Sequence, residues 1–358
     1  MKDSLKVISA FGIPIEIHIS FAILMFFIAL VSIFSRSLGF FVYISLLFLT
    51  VILHELSHSF VALMYGIKIE RIVLLPFGGV ASMEKMPEDP QEELKISLAG
   101  PGLNFVFAIL TYLLILLIPH ASSRLFPFFT FRLTDWVDML VLTFKINVLL
   151  GAFNLFIPAL PMDGGRVLRA LLALKMGFTQ ATDLAAEVAK AIAILMFAFG
   201  LFFNWWLIVI AFFVYIGATQ EMEATRISAL LKGVKVEDIM TKEVMEVSEE
   251  LSLEEFSDII LRFRHMGYPV TRDGALVGIV TFTDLAKNPK EKWKDLTIKD
   301  VMTKDVLMVS PGSSSIDVLM KMTRKGIGRL PVVEGDKVVG IISRSDIIKT
   351  AKLMKLRR

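Results

Sequence analysis

Val51-Ile52-Leu53-His54-Glu55-Leu56-Ser57-His58-Ser59-Phe60 reads H-E-x-x-H inside a run that is otherwise almost wholly apolar. Between positions 37 and 67 the only formal charge at neutral pH is Glu55. On a helix, His54 and His58 stand at i and i+4 and project from one face about one turn apart. That spacing suits two nitrogen ligands of one tetrahedral zinc, and Glu55, one residue round, can serve as general base toward an attacking water. In a soluble helix a lone match of this kind is often only a polar face. In a bilayer, two imidazoles and a carboxylate cost several kcal/mol unless paired, so the reading turns on whether the run spans a membrane.

Composition says that it does. The chain has 358 residues, 55% of them hydrophobic, with a mean hydropathy of +0.68, well above a soluble chain of this length. The first two thirds are apolar and the last third is strongly charged, which predicts a membrane domain followed by a soluble one. A net charge of +3 is too balanced to argue for a nucleic-acid partner. There is no cysteine, so any zinc must be held by His, Asp or Glu. The first nine residues lack the apolar core and cleavage site of a signal peptide.

Working outward, about six apolar spans are expected: 19–34, 39–65 with the H-E-x-x-H, 96–118, 136–157, 184–203 and 205–219. The last two form a tight hairpin turning near Asn204. Positions 11–18 read as a short strand or interfacial segment, with Glu16 and His18 interfacial. After the second span, 67–73 alternates like a strand, Pro76-Phe77-Gly78-Gly79 makes a turn, and 80–86 can return as a second strand. This is a β-hairpin or re-entrant segment beside the metal. Positions 87–93 read as acidic and exposed. The third span opens with Ala99-Gly100-Pro101-Gly102-Leu103-Asn104, where small residues permit close helix approach. Asn104 reads either as an interhelical hydrogen-bonding group or as part of the site. Lys145, in the fourth span, either snorkels to a surface or pairs internally.

The fourth span ends at Pro158-Ala159-Leu160-Pro161-Met162-Asp163-Gly164-Gly165-Arg166. Two prolines stop the helix and two glycines free the backbone, so that Asp163 can turn back toward the membrane interior. It is the candidate third ligand. A carboxylate with two imidazoles leaves the fourth zinc position open, the catalytic arrangement. Positions 167–176 read as a basic amphipathic helix at the membrane surface. Six spans put both termini on one side with the 66–95 and 164–183 loops, among whose cations are Lys68, Arg71, Lys95, Arg166, Arg169 and Lys175. The other side carries Arg36, Arg124 and Arg132. The positive-inside rule then predicts cytoplasmic termini in a cell membrane.

The tail is an internal repeat. Val236-Glu237-Asp238-Ile239-Met240-Thr241-Lys242 matches Ile298-Lys299-Asp300-Val301-Met302-Thr303-Lys304, and the offset of 62 residues also pairs Pro269 with Pro331, Gly278 with Gly340 and Asp284 with Asp346. Each copy reads strand–helix–strand–strand–helix, with turns at Asp273-Gly274 and Gly335-Asp336 before apolar β runs.

The membrane part, roughly 1–225, resembles the site-2 protease family of intramembrane zinc metalloproteases. The resemblance rests on His54-Glu55-Leu56-Ser57-His58, Phe77-Gly78-Gly79, Ala99-Gly100-Pro101-Gly102-Leu103-Asn104, and Asn154 through Met162-Asp163-Gly164-Gly165-Arg166. It implies one Zn2+ on His54, His58 and Asp163, with Glu55 as catalytic acid/base. It further implies hydrolysis of a peptide bond in or near a transmembrane segment of a membrane-protein substrate, with the hairpin pairing to that substrate as an added strand. Asn154 is implied as an active-site polar group beside Asn104. The family usually places a proline three residues after this asparagine; here Pro158 comes one residue later.

The tail, 226–358, is similar to a tandem CBS domain, with repeats at about 232–288 and 296–352. Such pairs commonly bind adenine nucleotides (AMP, ADP or ATP) and often associate, so the resemblance implies a regulatory nucleotide and a homodimer through this module. By that resemblance, Gly278, Thr281 and Asp284, with Gly340, Ser343 and Asp346, form the ribose- and phosphate-binding signature. The expected fold is thus a polytopic α-helical membrane protein followed by an α/β tandem CBS domain. The alternative is a CBS-regulated membrane transporter or channel, which would need polar groups through several spans rather than at one depth.

Overall fold

A bilayer offers no water to the backbone, so an apolar run must satisfy its own N–H and C=O groups, which a helix does within one segment. The computed structural model describes residues 4–35, 38–83, 87, 89–130, 133–335 and 337–356. The far end of the return strand expected over 80–86, the cations Arg36 and Arg132, and the Asp336 half of the second-repeat turn lie outside them. Two compact units result, Met1–Glu223 and Ala224–Arg358.

The first unit holds α1 (Ile19–Phe34), α2 (Leu38–Met64), α3 (Pro90–Leu116), α4 (Trp136–Phe156), α5 (Asp163–Ala173), α6 (Phe178–Phe203) and α7 (Trp205–Leu231), the last running on past Glu223. Five of these, α2, α3, α4, α6 and α7, are long and apolar enough to cross a membrane; α1 is apolar but has 16 residues. At about 1.5 Å per residue it reaches roughly 24 Å. Asn204 makes the α6–α7 turn, its side-chain oxygen accepting from the Trp206 N–H at 3.0 Å. Ala159 and Leu160 pack into one core with Ala185, Ala189 and Ala193 of α6 and Ala211, Val214 and Ala218 of α7. Small residues there let the helices approach the segment that precedes α5.

A four-stranded sheet, order β1-β2-β3-β4, joins the helices. β1 (Ser4–Ala10) and β2 (Ile13–His18) form a hairpin whose two turn residues, Phe11 and Gly12, both have positive φ. That is the turn geometry that follows strand twist. β2 pairs in parallel with β3 (Ile69–Leu75), which pairs antiparallel with β4 (Gly78–Met83). Glu16 is tied to Arg71 across β2 and β3 at 3.2 Å. β1 is absent from the sequence reading because its apolar side chains, Leu5, Val7 and Ile8, do not alternate and are exposed.

Two expectations need correction. Glu93 is not exposed but buried inside α3, and Arg169, read as part of a surface helix, is buried beside it. The two neutralise each other, which is what admits either to the interior. Lys145 pairs internally: its ammonium donates to the carbonyls of Pro127 and Thr130 at 3.2 and 2.9 Å.

In the second unit, repeat one contains β5 (Val247–Ser248), α8 (Leu253–Phe263), β6 (Gly267–Arg272), β7 (Ala275–Thr281) and α9 (Phe282–Ala286). Repeat two contains α10 (Ile298–Val301), α11 (Ser315–Lys325), β8 (Arg329–Glu334), β9 (Lys337–Ser343) and α12 (Arg344–Leu356). The repeats exchange their leading segments. The Thr241 backbone pairs with Ile341 of β9 at 2.9 and 3.0 Å, and Thr303 with Ile279 of β7 at 2.9 and 3.0 Å.

Candidate metal centre

His54 and His58 lie on α2 with their rings 4.7 Å apart, as the i, i+4 spacing requires. Asp163, 109 residues beyond His54, is the first residue of α5. Its Oδ2 stands 3.1 Å from His54 Nε2 and 3.2 Å from His58 Nε2, and the two Nε2 atoms are 3.1 Å apart. Three ligands of a tetrahedral zinc at about 2.0–2.1 Å are separated by roughly 3.3 Å, so this triangle has the size of one tetrahedral face.

The remaining ring nitrogens decide which atoms face the centre. His58 Nδ1 lies 2.6 Å from the carbonyl of Ile96, and His54 Nδ1 lies 2.9 Å from Asn104 Oδ1. A carbonyl oxygen only accepts, so each Nδ1 carries a proton, and in the neutral imidazole each Nε2 then presents a lone pair toward the centre. Two bare nitrogens and a carboxylate oxygen crowded within about 3 Å repel one another unless a cation lies between them. Among the described residues, these three are the only His, Cys, Asp or Glu group at metal-holding spacing.

Gly100 on α3 closes the floor of the site. A Cβ there would lie 2.3 Å from His58 Nε2 and 2.7 Å from His54 Nε2. Ser57 reinforces the α2–α3 crossing by donating to the Ala99 carbonyl at 2.9 Å. Gly164 and Gly165 let α5 begin directly against the backbone of residues 155–160, with which any Cβ would collide. So α5 starts at Asp163 itself, earlier than the surface helix expected over 167–176.

Glu55 stands beside the triangle. A Cβ on Gly79 of the edge strand β4 would meet its Cγ at 2.7 Å, so the carboxylate lies against β4 backbone. Among the described residues no hydrogen bond or ion pair engages it. The two asparagines differ. Asn104 touches His54, and its buried Nδ2 has no hydrogen-bond partner among the described residues. Asn154 donates to the Leu150 carbonyl one turn back at 3.0 Å and makes no hydrogen bond to the triangle.

The network that sequence reasoning missed lies one to two turns along α5. Arg169 donates from Nε to Glu93 of α3 at 2.9 Å, from Nη2 to the same oxygen, and from Nη1 to Glu221 of α7 at 2.8 Å. Burial opposes its charge, but the two carboxylates outweigh burial and hold the guanidinium pKa above its ordinary value. The only sequence signal is an arginine set among aliphatic residues, Val167-Leu168 before it and Ala170-Leu171-Leu172 after it.

In the second unit, Thr281 donates to Asp284 Oδ2 at 2.7 Å and Ser343 to Asp346 Oδ2 at 2.5 Å, so both signature pairs cap helices. Gly278 and Gly340 make room for the sulfur atoms of Met302 and Met240, each from the opposite repeat.

A polar centre of this make-up, among membrane-length helices, defines an intramembrane metallohydrolase. The profile of Peptidase family M50 matches residues 42–198, and that of the CBS domain matches 236–291 and 298–352. The zinc metalloprotease MJ0392 of Methanocaldococcus jannaschii is 40% identical over 358 residues, covering 100% of this chain and 98% of that one. A solved site-2 protease from the same organism is 42% identical over 61% of this chain and 95% of its own, with a TM-score of 0.45. The CBS domain pair of protein MJ0100, solved with 5′-methylthioadenosine and S-adenosyl-L-methionine, is 29% identical over 35% of this chain and 98% of its own, with a TM-score of 0.31. The chain belongs to peptidase family M50, the site-2 proteases: it is an integral-membrane zinc metalloprotease carrying two CBS domains. Membership decides against the transporter alternative.

Proposed function

We propose that this protease cuts a peptide bond in or near a transmembrane segment of a membrane-protein substrate, and that adenine nucleotide bound by its CBS pair regulates the cut. His54, His58 and Asp163 hold the zinc, and Glu55 is the catalytic acid/base. The observation that carries the reading is the triangle of two imidazole Nε2 atoms and a carboxylate oxygen, 3.1–3.2 Å apart, with Glu55 beside it.

Bound zinc supplies Lewis acidity, which brings the pKa of water from about 15.7 toward about 7 and polarises the scissile carbonyl. The protein does the rest. Asn104 and the Ile96 carbonyl hold the two imidazoles in one orientation. Glu55, unengaged by other side chains, takes a proton from the attacking water and returns it to the leaving amine. A helical peptide bond is shielded by its own turn, so the substrate unwinds and adds to the free edge of β4, whose backbone passes Glu55. Asn154, with one amide N–H on Leu150, keeps its side-chain oxygen for substrate backbone. Both termini and the CBS module, from about residue 226, face the cytoplasm, as the Lys and Arg bias favours when α1 counts as a crossing helix.

For the nucleotide, Asp284 and Asp346 each commit one carboxylate oxygen to a helix cap; the other is the acceptor for ribose hydroxyls, that of Asp284 lying 3.7 Å from the Lys287 ammonium. Thr281 and Ser343 lie beside them for phosphate. Arg329, half-buried at the start of β8, supports an anionic ligand. Burial pushes its pKa below the ordinary value, and among the described residues no side-chain hydrogen bond or ion pair engages it. A second copy binding through this module fits the same reading.

Cleavage of a single-span test substrate in detergent, read by mass spectrometry for wild type and Glu55→Gln, tests the chemistry. A product made equally by both sinks it. Titrating AMP and ATP against the cleavage rate tests regulation, and a flat response removes that part alone.

A further inference from the structure

We propose that Arg169 is a positioning residue for the third metal ligand: clamped by Glu93 of α3 and Glu221 of α7, it fixes the helix whose first residue is Asp163. The proposal rests on the reading that Asp163 binds the metal.

A metal ligand must be placed within about 0.2 Å. His54 and His58 are placed by one regular helix and by partners on α3. Asp163 has no such support. It opens an 11-residue helix whose N-cap, Met162, makes no side-chain cap, after a segment broken by two prolines. Something beyond its own turn must hold α5 still.

Besides the seating of Gly164 and Gly165 against residues 155–160, the structure offers two holds on other helices, one on either side of Asp163. Before it, Pro161 lies under Gly217 of α7, where a Cβ would come within 2.6 Å of the proline ring. After it, Arg169 meets Glu221, four residues on from Gly217 and therefore one turn along the same face of α7. The third arm runs to Glu93 on α3, the helix that also supplies Gly100 and the Ile96 carbonyl to the imidazoles. Phe178 of α6 lies 5.0 Å from the guanidinium. One side chain thus joins α3, α5, α6 and α7.

A buried arginine–carboxylate cluster adds little stability, because desolvation consumes most of the attraction. What a planar guanidinium with several donors adds is geometry. Here that geometry transfers the position of α3, and hence of both imidazoles, to the carboxylate that must meet them. It also makes the placement of α7 a determinant of the metal site.

Zinc dissociation constants are measured on the full chain in detergent by competition with a chromophoric chelator, with Co2+ as spectroscopic probe and the melting temperature of the metal-free protein alongside. Glu221→Ala and Arg169→Lys should each raise the zinc Kd about 10-fold or more. The Co2+ d–d bands should shift, and kcat should fall at an unchanged KM. Should Glu221→Ala fail to fold, Glu221→Gln keeps an acceptor for Nη1, removes only the charge, and is expected to act in the same direction. A zinc Kd and Co2+ spectrum matching wild type in the folded variants overturns the proposal, whatever the metal-free melting temperature does. Asp163→Ala separates the two failures. If it leaves the zinc Kd unchanged, the ligand assignment is wrong. If it abolishes binding while the Arg169 and Glu221 variants leave binding intact, only the positioning role is wrong.

Discussion

Gly100 and Gly102 sit two residues apart on α3 and should respond in opposite ways to one added methyl group. A Cβ at 100 would stand 2.3 Å from His58 Nε2 and 2.7 Å from both Cε1 and Nε2 of His54. Ordinary contact is about 3.5 Å or more, so the imidazoles would have to retreat by about an ångström, several times the roughly 0.2 Å that metal–ligand distances tolerate. The methyl also fills space that the metal needs. Outer-shell changes typically weaken metal binding 10–100-fold, so Gly100→Ala should exceed about 100-fold, or roughly 2.8 kcal/mol. At 102 a Cβ would meet nothing within 4 Å. Gly102→Ala should therefore retain zinc and activity. Zinc per chain after dialysis against a weak chelator, measured by mass spectrometry, is the assay, with circular dichroism to show both variants helical. A Gly100→Ala protein that keeps one zinc per chain and cleaves like wild type would refute the placement of the metal against α3.

Further outcomes follow from the same geometry. Asn104→Ala removes the acceptor that fixes His54, so zinc affinity should fall roughly 10-fold or more, whereas Asn154→Ala should leave zinc affinity unchanged and alter only cleavage. Chelator competition and product analysis separate the two. Lys145→Met takes its donor from the carbonyl of Thr130, while that of Pro127 keeps the N–H and hydroxyl of Thr130, so stability should fall by about 1 kcal/mol, the net worth of one hydrogen bond. The check is a lower melting temperature with faster proteolysis near residue 130. In the second unit, Glu255 and Asp300 have pKa values held below their ordinary 4.5 and 3.8 by helix-cap bonds from Ser252 and Thr297. A depressed carboxylate pKa stabilises the folded state above the unfolded value and loses that contribution as pH falls through the folded one. Hydrogen exchange should accelerate below about pH 4.5 in Leu253–Phe263 and below about pH 3.8 in Ile298–Val301, after correction for intrinsic rates. Exchange that stays flat down to pH 3 would contradict this.

Local pattern in the sequence was enough for whatever depends on neighbours along the chain. Uncharged apolar runs become helices because a bilayer leaves them no other way to satisfy the backbone. His54 and His58 share a face because helix geometry makes i and i+4 neighbours. Asp163 could be nominated because prolines and glycines break the helix around it. The 62-residue offset of the tail foretold two equivalent folding units. Tertiary structure decided what depends on residues far apart. It brought Asp163 to within 3.1 Å of His54 and set Gly100 against both imidazoles. It gave Asn104 rather than Asn154 to the histidines, and it resolved Lys145 as an internal donor. It also buried Glu93 with Arg169, where the sequence alone suggested an acidic loop and a basic surface. A charge reads as exposed until its partner is known, and that partner, here 76 residues away, is chosen by helix packing, which no local periodicity encodes.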